Sequence, residues 1–491
     1  VSQVKTDNIS LEVAVESTLG VLPGSPVWFL LEPNDITDFG ATITTTPRAP
    51  ISANRQRRKG STTDLDSAVA FEHDLTREVF VLFSEAFVFA TYQGSQIGRP
   101  TAVSTSAYTV PAGPVLANGQ LVFARGFTNS ANNGLKQVTT GATSTSIPIA
   151  GGGLVVETPP ANASLEVAGW RFATSDLAIT VSGTSVTITS AAVNLTTVGI
   201  KVGQLIHVGG LTGANQFSAG LGYCRVRTVA TGTITADKPS STLLTDPGTG
   251  DTVDLLFGLF LKNVPTSDAS FLTRSFNFEL LYPGLNTELG PPNDAAEYAV
   301  GNLANEMTLN LEVADKALVD FGFVGTNTGI PTTTRATNAA TPIQPVQTSA
   351  YNTSADVLRL RVQRVDETGL TTCFKSVSIT LGNEVTPEKC IGTLGAVFMN
   401  NGLFLVDMEG EILFTSIAVA SAVRNNETVT MDLLMKNTDG AISVDIPSMT
   451  LGDGSKDFPV HESVRMALAG EAFQDTFFGT SIGISLFPVV P

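Results

Sequence analysis

Leu65-Asp66-Ser67-Ala68-Val69-Ala70-Phe71 puts Leu65, Ser67, Val69 and Phe71 on one side of an extended segment, the period-two pattern of a half-buried strand. Beyond Phe71 the period changes. Val79, Leu82, Phe83, Ala86 and Phe87 recur at i, i+3, i+4, i+7 and i+8, which makes one apolar helical stripe. Asp74 or Thr76 stands where that helix needs an N-cap. A strand that runs into a one-striped helix predicts a helix laid on a sheet. It is the best helix in the chain, so the fold class is all-β with one main helix.

Working outward, Asp35 to Thr46 is strand-like and Pro47 to Ser61 reads as a polar loop. From Gln93 to about Asn263 the chain is rich in Thr, Ser, Gly, Ala and Val, and helical periodicity almost vanishes. This stretch holds an internal repeat. Gly119-Gln120-Leu121-Val122 aligns with Gly203-Gln204-Leu205-Ile206, and Gly134 to Val138 aligns with Gly222 to Val226. Thr-rich strands, Ser144 to Ile149 and Thr231 to Ala236, close the two copies. The reading is two small tandem β modules. From Pro265 onward strands dominate again: Phe271 to Leu281, Met307 to Val313, Val357 to Val365, Ser376 to Leu381, Leu403 to Leu413, Val429 to Lys436 and Ser481 to Pro488. Thr326 to Ser354 reads as a long loop, Asp439-Gly440 as a turn, and Leu413 to Val423 as either strand or short helix.

The chain has 491 residues, and 28 Lys+Arg against 45 Asp+Glu leave a net charge of −17. That is too acidic for a tight nucleic-acid binder. With 42% hydrophobic and 15% charged residues it is not a disordered chain. The uncharged stretches Ile412 to Val423 and Phe477 to Pro491 are too short and too interrupted for a membrane span. Val1 to Asp7 has no apolar signal core, so the expectation is a protein made and kept in the cytosol. Cys224, Cys373 and Cys390 are odd in number and far apart, which argues against a disulfide framework or a zinc site.

Catalytic chemistry is missing too. Gly479-Thr480-Ser481-Ile482-Gly483 fits G-x-S-x-G, but no His follows it and too few residues remain for the helix of a nucleophile elbow. His73, His207 and His461 are scattered; Glu72-His73-Asp74 reads as a helix cap with solvated neighbours. Asp453 to Asp457 lacks the acidic ligands of a calcium loop and reads as a tight turn. The expectation is no enzyme, no cofactor and no metal. One charged feature stands out: Arg48, Arg55, Arg57, Arg58 and Lys59 cluster in an acidic chain. No aromatic residue interleaves with them, against a single-stranded nucleic-acid site. A solvated loop is the plain alternative. Docking on an acidic face of a neighbouring copy is the preferred reading, since Arg makes forked contacts with carboxylates.

Several segments, taken in order, resemble one family. Glu16 to Pro26 is similar to the E-x-x-x-G-x-L-P-G-x-P opening of the tail tube proteins of long-tailed bacteriophages, and Asn54-Arg55-Gln56-Arg57-Arg58 to their D/N-R-Q-x-R segment. Arg274 to Glu279 resembles R-S-F-T-x-E, and Asp320 to Gly325 a G-S-F-x-F-x-G strand with Asp320 and Phe321 replacing small residues. Ser376 to Asn383 resembles S-L-S-I-x-I-D-N-N, broken by Gly382; Ile391 to Gly395 and Ile446-Pro447 are also family-like. The repeat resembles the family's inserted G-Q-L-V modules.

This resemblance implies a structural virion protein of the tail, made in the host cytoplasm, with a β-sandwich core that contributes strands to an inner barrel. Six-fold rings would stack into a non-contractile, siphovirus-like tube. The tube would hold the tape measure protein, meet tail terminator and tail tip proteins at its ends, and pass genomic DNA without binding it. The loop carrying Arg48, Arg55, Arg57, Arg58 and Lys59 would reach the next ring. The expected organisation is a discontinuous tube core, 1–106 and 264–491, with inserted modules 107–170 and 171–263 on the outer surface. The alternative is a β-modular surface adhesin or carbohydrate-binding protein, which suits the Thr/Ser/Gly composition but not the absent signal peptide or the helix after the Arg loop.

Overall fold

The computed structural model describes residues 4–491 apart from 52, 54–55, 95, 284, 286–294, 333–334, 337–340, 346–347, 366–368 and 372. The expected helix spans Arg77–Val88, with Thr76 as its N-cap accepting from the Val79 N–H. Phe80, Phe83, Ala86 and Phe87 are fully buried in it. Seventeen strands join by pairing into one branched sheet. Their inward side chains share a single core with the helix, so the sheet wraps around it. At the centre Phe71, Phe83, Phe87, Phe276, Phe278, Phe321 and Phe323 pack with ring centroids 4.9–6.5 Å apart, mostly in the tilted and edge-on geometries that aromatic quadrupoles favour.

Two long strands organise the sheet. The first half of Ala295–Glu312 pairs with Ser275–Tyr282, and its second half lies between Leu318–Gly325 and Phe374–Gly382. Gly440–Asp457 pairs first with Thr428–Asn437 and Gly483–Phe487, then with Arg465–Ala472. Register shifts mark the bends, at Ala304/Glu306 in the first and Asp453/Lys456 in the second. Asp453 to Asp457 is thus a bulged part of a strand, with Asp453 at φ 61° and accepting from the Ser455 N–H, rather than a turn between elements. The ambiguous segment after Leu413 forms a second helix, Ile417–Arg424, capped by Ser416.

A separate nine-stranded sheet lies between Gln120 and Leu256 and has its own core. Both copies of the repeat enter it. Gln120–Arg125 and Leu205–Val208 occupy equivalent places, flanking a central antiparallel pair made by Ser164–Phe172 and Val253–Leu256. The local bonding repeats as well. Gln120 Oε1 accepts from Ala117 N at 2.7 Å, and Gln204 Oε1 from Lys201 N at 3.0 Å. Gly119 and Gly203 both sit at positive φ, 98° and 91°, where a side chain would be strained. The repeated Gly-Gln pair is therefore a turn-and-cap device.

The two sheets meet at a seam rich in buried ions. Arg77 is fully buried and donates to Phe487 O (2.9 Å) and to both Glu166 oxygens (3.1 and 2.5 Å). Arg125 reaches Glu78, Asp439 O and Pro488 O. Arg225 bridges Asp237 and Asp445, and the buried Lys238 donates to Asp445 and Thr430. Burial opposes the charge of Asp445, but Arg225 and Lys238 hold it down at about 2. Leu205, Tyr223, Leu434, Ala441, Phe487 and Val490 close the seam with apolar contact.

Candidate conduit face and docking tip

Strict alternation leaves one side of the wrapped sheet open. In Leu318–Gly325 the odd residues Val319, Phe321 and Phe323 are buried, whereas Asp320 and Gly322 are only partly covered. In Leu405–Leu413 Val406, Met408 and Ile412 point inward and Asp407, Glu409 and Glu411 lie on the other side. Cross-strand register aligns these outer residues into one row: Asp35, Glu72, Asp320, Thr308, Thr380, Asp407, Glu471 and Thr450. Five of the eight are acids and none is a base. A parallel row carries Asn310, Ser378, Glu409 and Ala469. A concavity of about 420 Å³ on this face is lined by Asn310, Glu312, Ser378, Glu409, Glu411 and Asp453 among others.

Like charge accumulates there at a cost. Partial burial, then Glu471 and Glu409, push the Asp407 carboxyl above the ordinary range. Partial burial and the Glu72 and Glu306 carboxylates do the same to Asp320, against a hydrogen bond from Asn310. A polar wall that repels anions and lacks exposed apolar anchors is suited to letting a polyanion pass rather than to holding it. These residues were missed in the sequence, although Asp407, Glu409 and Glu411 alternate as three acids on one strand face.

The basic cluster lies at the end of a hairpin made by Asp35–Arg48 and Arg58–Asp74. Pairing continues through Thr45↔Thr62 and Thr46↔Ser61 to Arg48↔Arg58. Of the segment Pro47 to Ser61, expected as a loop, the two ends, 47–48 and 58–61, are thus strand, and the loop between them is shorter than expected. Its Thr-rich flanks need no buried face to form backbone ladders, so apolar alternation did not reveal them. Arg48, Arg57, Arg58 and Lys59 are exposed; Arg55 lies outside the described residues. Arg48 and Arg58 are direct cross-strand partners, an arrangement that repels unless an anion sits between them. Among the described residues no carboxylate of the chain forms an ion pair with Arg48, Arg57, Arg58 or Lys59. At the hairpin base Lys389 bridges Asp64 and Asp66, each at 2.6 Å.

The other singled-out groups are structural. Ser481 is buried, and its Oγ donates to Asn263 Oδ1 ahead of the last strand. His207 is buried edge-on to Tyr223, and burial lowers its pKa to about 4. Among the described residues no group of three or more His, Cys, Asp or Glu is placed to hold a metal, and no helix is long and apolar enough to cross a membrane.

The motif residues of the family resemblance meet on one carboxylate. Glu16 Oε2 accepts from Gly20 N (2.8 Å) and Ser275 Oγ (2.6 Å), and Oε1 from Asn277 Nδ2 (2.6 Å) and Gly301 N (2.8 Å). Segments far apart in the chain are so tied at a single buried point. Comparison with known families agrees: the model of the phage tail tube protein matches residues 242–463. No curated protein matches the chain.

Proposed function

We propose that this chain, a structural protein of the phage tail tube, is the major subunit of a non-contractile, siphovirus-like tail. In this reading six copies close a ring, rings stack into a tube, and the acidic sheet face lines the bore through which the genome leaves. The observation that carries the bore assignment is the unbroken polar row from Asp35 to Thr450, with five acids and no base. A duct for DNA must not retain it: six to ten phosphate contacts change affinity by about 10³–10⁵ over a modest salt range. One bore-facing cation per copy would bring about six such contacts to every ring.

The role is structural rather than enzymatic. The tape measure protein occupies the bore before ejection, terminator and tip proteins meet the tube ends, and the subunit waits in the host cytoplasm before assembly. Residues 1–106 and 264–491 form the tube core. The inserted modules 107–170 and 171–263, sharing the nine-stranded sheet, project outward so that the bore stays open. The hairpin tip with Arg48, Arg55, Arg57, Arg58 and Lys59 meets carboxylates of the adjacent ring, which relieves the Arg48–Arg58 repulsion. An electron cryomicroscopy map of the assembled polymer tests this. The expected map has six-fold rings with Asp320, Asp407 and Glu471 on the bore and the basic tip against the next ring. A map with the acidic face turned outward, or the outer sheet filling the lumen, overturns it.

A further inference from the structure

The two ends of the central strands carry unlike apolar surfaces. Phe374–Gly382 and Leu405–Leu413 run antiparallel, with Gly382 opposite Leu405 at one end and Phe374 opposite Ile412 at the other. Nine residues of strand separate those ends by about 27 Å. At the Gly382 end, the same end as the basic hairpin tip, a small hairpin made by Thr386–Glu388 and Phe398–Asn400 projects. It presents Ile391, fully exposed, with Leu394, Phe398 and Leu403. The projection is fixed in place. Lys389 is tied to Asp64 and Asp66, Ala396 N donates to Thr326 O, and Leu403 N donates to Glu384.

At the Phe374 end two adjoining loops, joined by Phe414 N donating to Val464 O, expose Ile417 (80%), Phe458 (70%) and Val460 (80%). They too are held, by the Ser416 cap of the second helix and by Lys456 over the Phe414 ring. Ordered, exposed apolar clusters of this kind mark interaction sites. Charge follows the same polarity. The Gly382 end carries the exposed Arg48, Arg57, Arg58 and Lys59. At the Phe374 end Glu312, Asp315 and Asp457 are exposed and form no ion pair among the described residues, while the cations Lys316 and Arg465 there are engaged by Asp74 and by Glu411 and Glu462.

We propose that the Ile391–Leu403 projection of one copy docks on the Ile417–Phe458–Val460 surface of a second copy in the next ring. Unlike patches at opposite ends of one molecule make a heterologous contact, which propagates as an open filament rather than closing on itself. Apolar contact supplies the affinity, and the basic tip and acidic far end supply orientation and encounter rate. This inference rests on the tube reading above and names its axial contact.

Two variants test it, Ile391→Asp/Leu394→Asp at one end and Phe458→Asp/Val460→Asp at the other. The side chains altered are solvent-exposed, so circular dichroism and thermal melting of the subunit should match wild type. Tube growth, followed by light scattering and negative stain, should need at least about tenfold more protein, equivalent to about 1.4 kcal/mol. Each variant keeps one sound end, so a mixture of the two should give two-ring stacks and no long tubes. Cys390, which is exposed beside Ile391, adds an independent readout: in a Cys373→Ser background its maleimide labelling should be fast in free subunits and suppressed in tubes. Wild-type growth by both variants, or Cys390 labelling equally fast in tubes, would overturn the proposed contact. Failure of the wild-type chain itself to form rings or tubes would instead overturn the tube reading.

Discussion

Consider the buried pair at the seam. Arg77 has no exposed side-chain surface and Glu166 only 16%. Burial opposes ionisation of Glu166, yet Arg77 holds its carboxyl below the ordinary range. At an effective dielectric of about 20, unit charges about 4 Å apart attract by about 4 kcal/mol. Removing one partner leaves the other buried and unpaired, which costs about 3–5 kcal/mol. Replacing both with apolar residues removes the desolvation penalty as well, so Arg77→Met/Glu166→Leu should be far milder than either Arg77→Met or Glu166→Gln. The residual cost is about 1 kcal/mol for the lost bond to Phe487 O. The chain offers its own reporters. Its two tryptophans are Trp28, buried on a strand of the wrapped sheet, and Trp170, in the core of the nine-stranded sheet. Denaturant unfolding of full-length Trp28→Phe and Trp170→Phe versions reads each unit separately. With the pair intact the two transitions should coincide; with one partner removed they should separate. A double-mutant cycle with coupling near zero, or singles that shift neither transition by about 1 kcal/mol, would refute the idea that this ion pair couples the sheets.

Two further outcomes follow from buried carboxylates. Glu16→Gln turns an acceptor of four donors into a group with an N–H₂ facing donors, so stability should fall by about 1–3 kcal/mol, read as a lower melting temperature with tube length unchanged among the molecules that remain folded. Glu12 and Glu279 share Arg335. Burial, against Arg335 and together with Glu279, raises the Glu12 carboxyl to about 7. A raised acid favours the protonated fold: its contribution is complete below the ordinary value of 4.5 and is lost as pH rises through about 7. Melting temperature should therefore decline across that window, and Glu12→Gln should flatten the decline.

What was readable in the chain divides along physical lines. The helix announced itself because a one-sided stripe has a period, and Thr76 capped it as its chemistry requires. The repeat was visible because Gly119 and Gly203 need positive φ and Gln120 and Gln204 return to their own turns, both local demands. The seam was not visible. Arg77 and Glu166 are 89 residues apart and Arg225 and Asp445 are 220 apart, and nothing in a single sequence says which of many charges will be buried together. The acidic face lay between these cases. Each strand showed its alternation, but the row from Asp35 to Thr450 exists only through register, and register across non-local strands is set by tertiary pairing. The hairpin was read too short for a related reason: a two-stranded ribbon with both faces in water has no apolar period to detect.

The distribution of cations explains how a subunit of net charge −17 can present a concentrated acidic face and still hold together. Arg77, Arg125, Arg225, Lys238, Arg359 and Arg361 are engaged with carboxylates or carbonyls in and beside the seam. Arg335 and Arg274 neutralise buried acids of the wrapped core. The central row of the open face is therefore acidic partly because most bases are engaged elsewhere; at the edge of the face Arg465 pairs with Glu411. Other cations are spread over the surface, and four of those that no carboxylate of the chain engages among the described residues, Arg48, Arg57, Arg58 and Lys59, lie together at the hairpin tip. Mutual repulsion along the row from Asp35 to Glu471 works against the fold, by about 0.2–1 kcal/mol for each direct cross-strand pair. It is offset by the phenylalanine core beneath the same strands, where full burial of one such side chain is worth about 1.5–3 kcal/mol. The alternation that puts Phe321 and Phe323 inside is the alternation that puts Asp320 outside. Stability and an anion-repelling surface are thus two faces of the same strands, and the outer face is free to be tuned by charge while the inner face holds the sheet on its helix.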